Sequence, residues 1–263
     1  MKSAFQAKII TLMCILFLFI TVAGCHETKK KNDKKEEAKL HYQLGRNHFM
    51  RNDYISALRE LIQSVEIEPN DPDSQYLIGT VYYMLNRYPE AETHLKEAIR
   101  LKKDYPDAYN NLGNVYMAME RWDDAIAQFD ICLGFILYQP SFPKVYTNMG
   151  IAYVHKGDLK KAEDSFRTAI KLQNRFCPAH LNLADLLSKT DHKDEAIMEY
   201  ENVVQLCPNT DFAMLAHLYW GIELSAQGKK EDACQHFLEV AKGDPNSDTT
   251  LKAAQYLRLL KCQ

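Results

Sequence analysis

PDSQYLIGTVYYMLNRYPEAETHLKEAIRLKKDY, residues 72–105, carries a skeleton that recurs through most of the chain. Its Ile78-Gly79, a large apolar residue followed by a small one, returns as Leu44-Gly45, Leu112-Gly113, Met149-Gly150, Leu183-Ala184 and Trp220-Gly221. The steps between the small members are 34, 34, 37, 34 and 37 residues. Twelve residues after each small member stands an alanine: Ala57, Ala91, Ala125, Ala162, Ala196 and Ala233. Four further on comes a large side chain: Leu61, Leu95, Phe129, Phe166, Tyr200 or Phe237. Self-similarity at a fixed period of roughly 20–50 residues marks a repeat architecture.

The columns have a packing reason. In a pair of antiparallel helices, the Gly or Ala of the first helix faces the Ala of the second and lets the backbones approach. The ring or leucine one turn later fills the next gap, as ridges fill grooves. A third large column, His48, Tyr82, Tyr116, Tyr153, Leu187 and Leu224, points toward the neighbouring pair. Pro69, Pro208 and Pro245 end second helices, where a missing N–H does no harm. Each pair leaves an apolar face open, so stacking is obligatory and stability comes from nearest neighbours. The expected fold is all-α, a right-handed α-solenoid of six hairpins over residues 38–71, 72–105, 106–142, 143–176, 177–213 and 214–247. Leu251, Ala254, Leu257, Arg258 and Leu260 stand at helical spacing within 248–263 and read as a capping helix.

This arrangement resembles the tetratricopeptide repeat over residues 38–247. It departs from that pattern where Lys103, Leu137 and Asn174 replace the repeat-ending proline. Three residues are inserted twice, around Phe135 to Pro143 and around Pro208 to Ala213. Arrays of this kind hold proteins through the concave face that the first helices line. Asn111, Asn148 and Asn182 share one register there, and an amide side chain both donates and accepts, which suits a peptide backbone. Asn110 and Asn114 flank the first of these. In the first two repeats the same face carries Tyr42, Arg46, Tyr76, Thr80 and Tyr83, amphipathic groups typical of interface anchors. Bonding between repeats is the competing use for the three asparagines.

The N-terminus sets the expected compartment. Lys2 and Lys8 open the chain, Ile9 to Val22 is a 14-residue run without a charge, and Val22-Ala23-Gly24-Cys25 follows. This is the layout of a secretory signal, residues 1–24. At 1.5 Å per helical residue the run spans roughly 21 Å, short of a hydrocarbon core about 30 Å thick. Val-Ala-Gly-Cys resembles the bacterial lipobox, which implies that Cys25 is acylated and becomes the mature first residue. A diacylglyceryl group plus an N-acyl chain anchors firmly where a single chain does not. His26 in place of Asp after the cysteine implies the outer membrane, with the body on its periplasmic face. Residues 25–37, with Lys29, Lys30, Lys31, Lys34 and Lys35 against Glu27, Asp33, Glu36 and Glu37, read as a charged, flexible leash without a core. The formal charge of −3 becomes about −5 once Lys2 and Lys8 leave, which argues against a nucleic-acid partner.

Seven cysteines are present. Cys14 leaves with the signal and Cys25 carries lipid, so five remain in a compartment that permits disulfides. In the repeat register Cys177 opens a first helix and Cys207 closes the following second helix, so their ends lie side by side. Cys262 follows a capping helix that runs back toward Cys234. Cys132 occupies a packed small position and is left outside these pairings. The alternative is that all five stay reduced as small core residues. None of them has metal-ligand spacing, so no metal and no cofactor is expected.

Nothing in the sequence reads as catalytic. His41, His48, His94, His155, His180, His192, His217 and His236 scatter without a nucleophile at a shared position. Nucleophile elbow, phosphate loop and dinucleotide fingerprint are missing, so a small-molecule substrate is not expected. A lipoprotein signal, six repeats and an enlarged connection before the fourth, with the segment Tyr138-Gln139-Pro140 to Asn148-Met149-Gly150, are similar to the type IV pilus pilotins, tetratricopeptide lipoproteins of pilus biogenesis. That resemblance implies binding of a secretin subunit and promotion of its outer-membrane localisation and multimerisation. A periplasmic adaptor for peptidoglycan hydrolases or proteases would use the same anchor and groove.

Overall fold

The computed structural model describes residues 32–135 and 142–262. The apolar run Ile9–Val22, the cut after Gly24, Cys25, residues 25–31 of the leash and Tyr138-Gln139-Pro140 lie outside the described residues. No described helix is long and apolar enough to cross a membrane. The described secondary structure is helical throughout: α1 (32–50), α2 (Tyr54–Ile67), α3 (Pro72–Met84), α4 (Tyr88–Leu101), α5 (Pro106–Ala118), α6 (Trp122–Leu133), α7 (Phe142–Lys156), α8 (Leu159–Leu172), α9 (Cys177–Lys189), α10 (Lys193–Leu206), α11 (Asp211–Ala226), α12 (Lys230–Ala241) and α13 (Asp248–Leu260). The chain divides into two compact units, residues 1–111 and 112–263, and α5 contributes to both.

Close approach between paired helices explains the small-residue column. A Cβ added at Gly45 would lie 2.6 Å from Leu61 Cγ, and one at Gly79 2.7 Å from Leu95 Cγ. In the second unit the same test at Gly150 and Gly221 puts Cβ 2.5 Å from Phe166 and 2.7 Å from Phe237. Leu61, Leu95, Phe129, Phe166, Tyr200 and Phe237 are all buried. Each such side chain stabilises by about 1.5–3 kcal/mol through area removed from water. In the first unit Ala57 and Leu61 of α2 pack on Leu77, Ile78 and Val81 of α3. In the second unit Ala162 and Phe166 of α8 pack on Leu183, Ala184 and Leu187 of α9.

The turn inside each pair is also repeated. The residue seven after the small column has positive φ in every pair: Asn52, Asn86, Glu120, Gly157, Asp191 and Gly228. Next in chain, the N–H of Asp53, Arg87, Arg121, Asp158, His192 and Lys229 donates to the carbonyl five residues back, at 2.8–3.0 Å. That six-residue bond is the Schellman closure, and it needs a left-handed residue at its bend. Asp53 and Asp158 then cap the following helix by accepting from the N–H of Ser56 and Lys161. The carbonyls that close the six turns belong to the third large column, from His48 to Leu224.

Two disulfides lie in the second unit. Cys177–Cys207 joins the start of α9 to the end of α10, with Cα atoms 6.5 Å apart. Cys234–Cys262 ties the residue after α13 back to α12, with Cα atoms 5.7 Å apart. Cys132 is buried on α6.

Two features differ from the reading of the sequence. Residues 32–37, expected as leash, form the first turns of α1. Lys34, Lys35, Glu36 and Glu37 are good helix formers, and they adjoin a helix already nucleated by packing of its later turns. The capping helix α13 covers the last hairpin with another stripe, Thr250, Ala253, Leu257 and Leu260, and Tyr256 stacks on Phe237 at 4.9 Å. Leu251 is half exposed and Arg258 is exposed.

Glu120 is the residue whose side chain suits its left-handed conformation least (φ 58°). Glu120→Gly is expected to stabilise the fold by about 0.5–1 kcal/mol, the relief of αL strain less the added entropy of the unfolded chain. A urea midpoint equal to or below that of the parent protein would refute this. Intact mass is expected to rise by four hydrogens on reduction of the two disulfides; no rise would mean they do not form.

Candidate protein-binding face

The first helices of each unit place the binding candidates at known registers. In the first unit α1 holds Tyr42 and Arg46, α3 holds Tyr76, Thr80 and Tyr83, and the first turns of α5 hold Asn110 and Asn111. Asn111 Nδ2 donates to Tyr76 Oη and to Thr80 Oγ1, both at 3.1 Å, and the Thr80 hydroxyl donates to the Tyr76 carbonyl at 2.9 Å. Asn110 Nδ2 leans on Asn111 Oδ1 at 3.4 Å, and its own Oδ1 is buried with no hydrogen-bond partner among the described residues. In the second unit Asn148 Nδ2 donates to Asn114 Oδ1 at 2.8 Å, and Asn182 Nδ2 donates to the Pro178 carbonyl of its own helix at 2.7 Å.

The three asparagines of one register therefore have three different partners. Asn111 joins α5 to α3, Asn148 joins α7 to α5, and Asn182 caps a carbonyl within α9. The Asn111 and Asn148 bonds are the inter-repeat use, and the Asn182 bond stays within its helix. Beside these asparagines the first unit gathers tyrosines. Tyr76 and Tyr105 lie with ring centroids 5.0 Å apart, the Tyr105 hydroxyl donates to Asp73 Oδ1 at 2.8 Å, and Tyr83 meets Tyr88 at 6.0 Å. A cavity of about 560 Å³ opens beside them, lined by Lys39, Tyr42 and Arg46 of α1 and by Glu68, Asp71 and Asp73 at the α2–α3 turn. Burial holds the phenols of Tyr42, Tyr76, Tyr83 and Tyr105 above the usual tyrosine range, and the carboxylate of Asp73 adds to this at Tyr105 and Tyr42. Each of these tyrosines combines an apolar ring with a phenol that stays protonated at neutral pH.

Tyr105 escaped the sequence reading because it precedes α5, at a register where Asp71 and Phe176 stand in other repeats. The histidines also form a pattern that inspection of the sequence left scattered. His41, His180 and His217 occupy one register of first helices, and His94 and His236 one register of second helices. They meet polar partners 19 residues away across each hairpin: His41 with Glu60 at 2.7 Å, His94 with Gln75 at 2.7 Å, His180 with Glu199 at 2.5 Å, and His217 with His236 at 2.8 Å. Of the others, His48 meets Asp53 and His192 contacts Thr190 locally, while His155 of α7 stacks on Trp122 of α6. The signal was a shared offset from the small-residue column, blurred because Gln75 and Glu60 fill some of the places.

Hairpins of this geometry define a tetratricopeptide-repeat α-solenoid, a class of binding scaffold. A TPR repeat model matches residues 79–120, and tetratricopeptide repeat models match residues 108–134, 143–176 and 178–210. Comparison with curated protein sequences returns no match. Among solved structures, PilF of Pseudomonas aeruginosa aligns with a TM-score of 0.71 and 19% identity over 86% of this chain and 99% of its own. PilW, a widely conserved type IV pilus biogenesis factor, aligns with a TM-score of 0.74 and 19% identity over 82% of this chain and 98% of its own. YrrB, a TPR protein with an unusual peptide-binding site, aligns with a TM-score of 0.54 and 18% identity over 74% and 97%. At such identities the likeness is one of fold.

The His217–His236 pair has a calculable pH signature. One ring donates to the other, so both cannot be imidazolium; burial first, then His217, pushes His236 down to about 4. An unfolded histidine titrates near 6.5, so between about 6.5 and 4 the unfolded chain holds a proton that the folded chain lacks, and stability falls as pH drops through that window. His180 has the opposite sign: burial lowers it, but the Glu199 bond and the Asn174 carbonyl outweigh burial and raise it. Its stabilisation is complete below 6.5 and is lost as pH rises through the raised value. His236→Gln is expected to reduce the loss of urea stability between pH 7 and pH 5; an unchanged loss would remove the pair from the account.

Proposed function

We propose that this protein is a lipid-anchored, non-enzymatic scaffold of the outer membrane that binds a secretin subunit and promotes its localisation and multimerisation in type IV pilus assembly. The supporting observation is the agreement in fold with PilF and PilW over nearly the whole of both chains. Val22-Ala23-Gly24-Cys25 adds the anchor, which neither the fold nor the repeat pattern requires. In this reading acylated Cys25 carries the array to the periplasmic face of the membrane. The tyrosine-rich face of the first two repeats, with Tyr42, Arg46, Tyr76 and Tyr83, holds a segment of the secretin through ring contacts and phenol hydrogen bonds. The anchor then targets both proteins, and several anchored scaffolds concentrate subunits in one plane, where their effective concentration for assembly is high.

Deletion of the gene is expected to leave secretin monomers outside the outer membrane and to abolish surface pili. A copy carrying Cys25→Ser is expected to fail in complementation and to incorporate no palmitate. Normal levels of heat-resistant secretin multimer in the deletion strain would reject the proposal, and palmitate on the Cys25→Ser protein would reject the anchor.

A further inference from the structure

Of the four pairs that meet across a hairpin, three set a histidine against a carboxylate or an amide, groups that complement it. The fourth sets like against like. His217 of α11 and His236 of α12 turn the same atom toward each other, Nδ1 to Nδ1 at 2.8 Å, with ring centroids 5.1 Å apart. One hydrogen lies between two nitrogens that both offer a lone pair. Spacing along the chain gave no hint of this, because the two rings stand 19 residues apart on different helices.

Two imidazoles that aim nitrogen at one point have the makings of a metal chelate, and neutral imidazole is the commonest protein ligand for metals. In a tetrahedral zinc site Zn–N is about 2.0–2.1 Å, which sets two ligand nitrogens about 3.3 Å apart. From 2.8 Å the pair has to open by only about 0.5 Å to reach that separation, which small rotations of the rings supply.

The surroundings suit a cation. Burial holds both imidazoles below the usual histidine range, so at neutral pH neither is an imidazolium that a metal would have to deprotonate. Asp232 and Glu239 stand one helical turn to either side of His236 and put negative charge beside the pair. Lys242, which opposes them near His217, is paired with Glu239 at 2.6 Å. His236 and Asp232 also line a cavity of about 380 Å³ with Trp220 and Met198, a path by which a hydrated ion reaches the ring.

We infer that His217 and His236 form a two-imidazole site for a divalent transition-metal ion of the zinc class, each ring binding through Nδ1. Among the described residues no three His, Cys, Asp or Glu side chains converge to hold a metal, so water fills the remaining positions. The ring that donates in the hydrogen-bonded pair moves its hydrogen from Nδ1 to Nε2 through solvent as the ion binds, and no net proton is released. The ion then takes the place of that hydrogen bond as the link between α11 and α12. Imidazole ligands suit zinc, copper and nickel and leave magnesium and calcium unbound. The inference is independent of the client and the anchor proposed above.

Zn2+ alone, titrated into the full-length protein in non-ionic detergent against a competing chromophoric chelator, tests it. The protein is prepared without reductant and without a polyhistidine tag. The parent is expected to bind an ion whose affinity falls roughly tenfold or more in His217→Gln and in His236→Gln. His192→Gln, which changes an exposed ring outside the pair, is expected to leave that affinity unchanged. Modification of the parent by diethyl pyrocarbonate, mapped by peptide mass, gives a second reading that needs no variant to fold. Zinc is expected to slow modification of His217 and His236 and to leave His192 as reactive as before. A parent that binds no zinc overturns the inference, and so do folded variants that hold the ion as tightly as the parent. Zinc that protects neither ring overturns it as well.

Discussion

The contact between a missing or minimal side chain on one helix and a large side chain on its partner carries this structure. Where Gly150 meets Phe166, even a methyl group would enter the ring's space, and the same holds at the other glycines of the column. That approach sets the distance between paired helices, and with it the positions of every residue offset from the column by a fixed number. Turn, cap and inter-helix hydrogen bonds all follow the same count. A repeat protein needs only this: a local rule, satisfied many times, with stability summed from neighbours.

The polar decoration hangs on that frame. Side chains 19 residues apart face each other across four of the hairpins, and the chain fills these places with His–Glu, His–Gln and His–His pairs. Their chemistry differs although their geometry is shared. His180 beside Glu199 holds its proton more tightly than a free imidazole, whereas His236 against His217 holds its proton less tightly. Neighbouring hairpins therefore respond to acid with opposite sign, a local consequence of which partner stands opposite.

Much of the frame could be read from the residues. The three columns placed all six hairpins, because a glycine that faces a ring cannot be exchanged without moving a helix, and so its spacing survives in the text of the chain. The histidine pairs were less visible. Their places accept Gln, Glu or His alike, since any of these completes a hydrogen bond, and the pattern dissolves when read by residue type. The asparagine register had the reverse fault, three identical residues with three different partners.

Residue order alone determined that the chain folds as helical pairs, where each pair turns, and that a further helix packs on the last pair. Those depend on contacts within about 20 residues, whose distances the helix period fixes. Tertiary packing decided the rest: that α1 starts within the expected leash, that α13 turns Ala253, Leu257 and Leu260 inward and Leu251 and Leu259 outward, that Asn111 and Asn148 bind their own neighbours, and that Tyr105 packs on Tyr76. In each case a helix must rotate about its axis to bury one stripe against a particular neighbour. A rotation of a few tens of degrees exchanges which side chains meet water, and only the assembled neighbours select it.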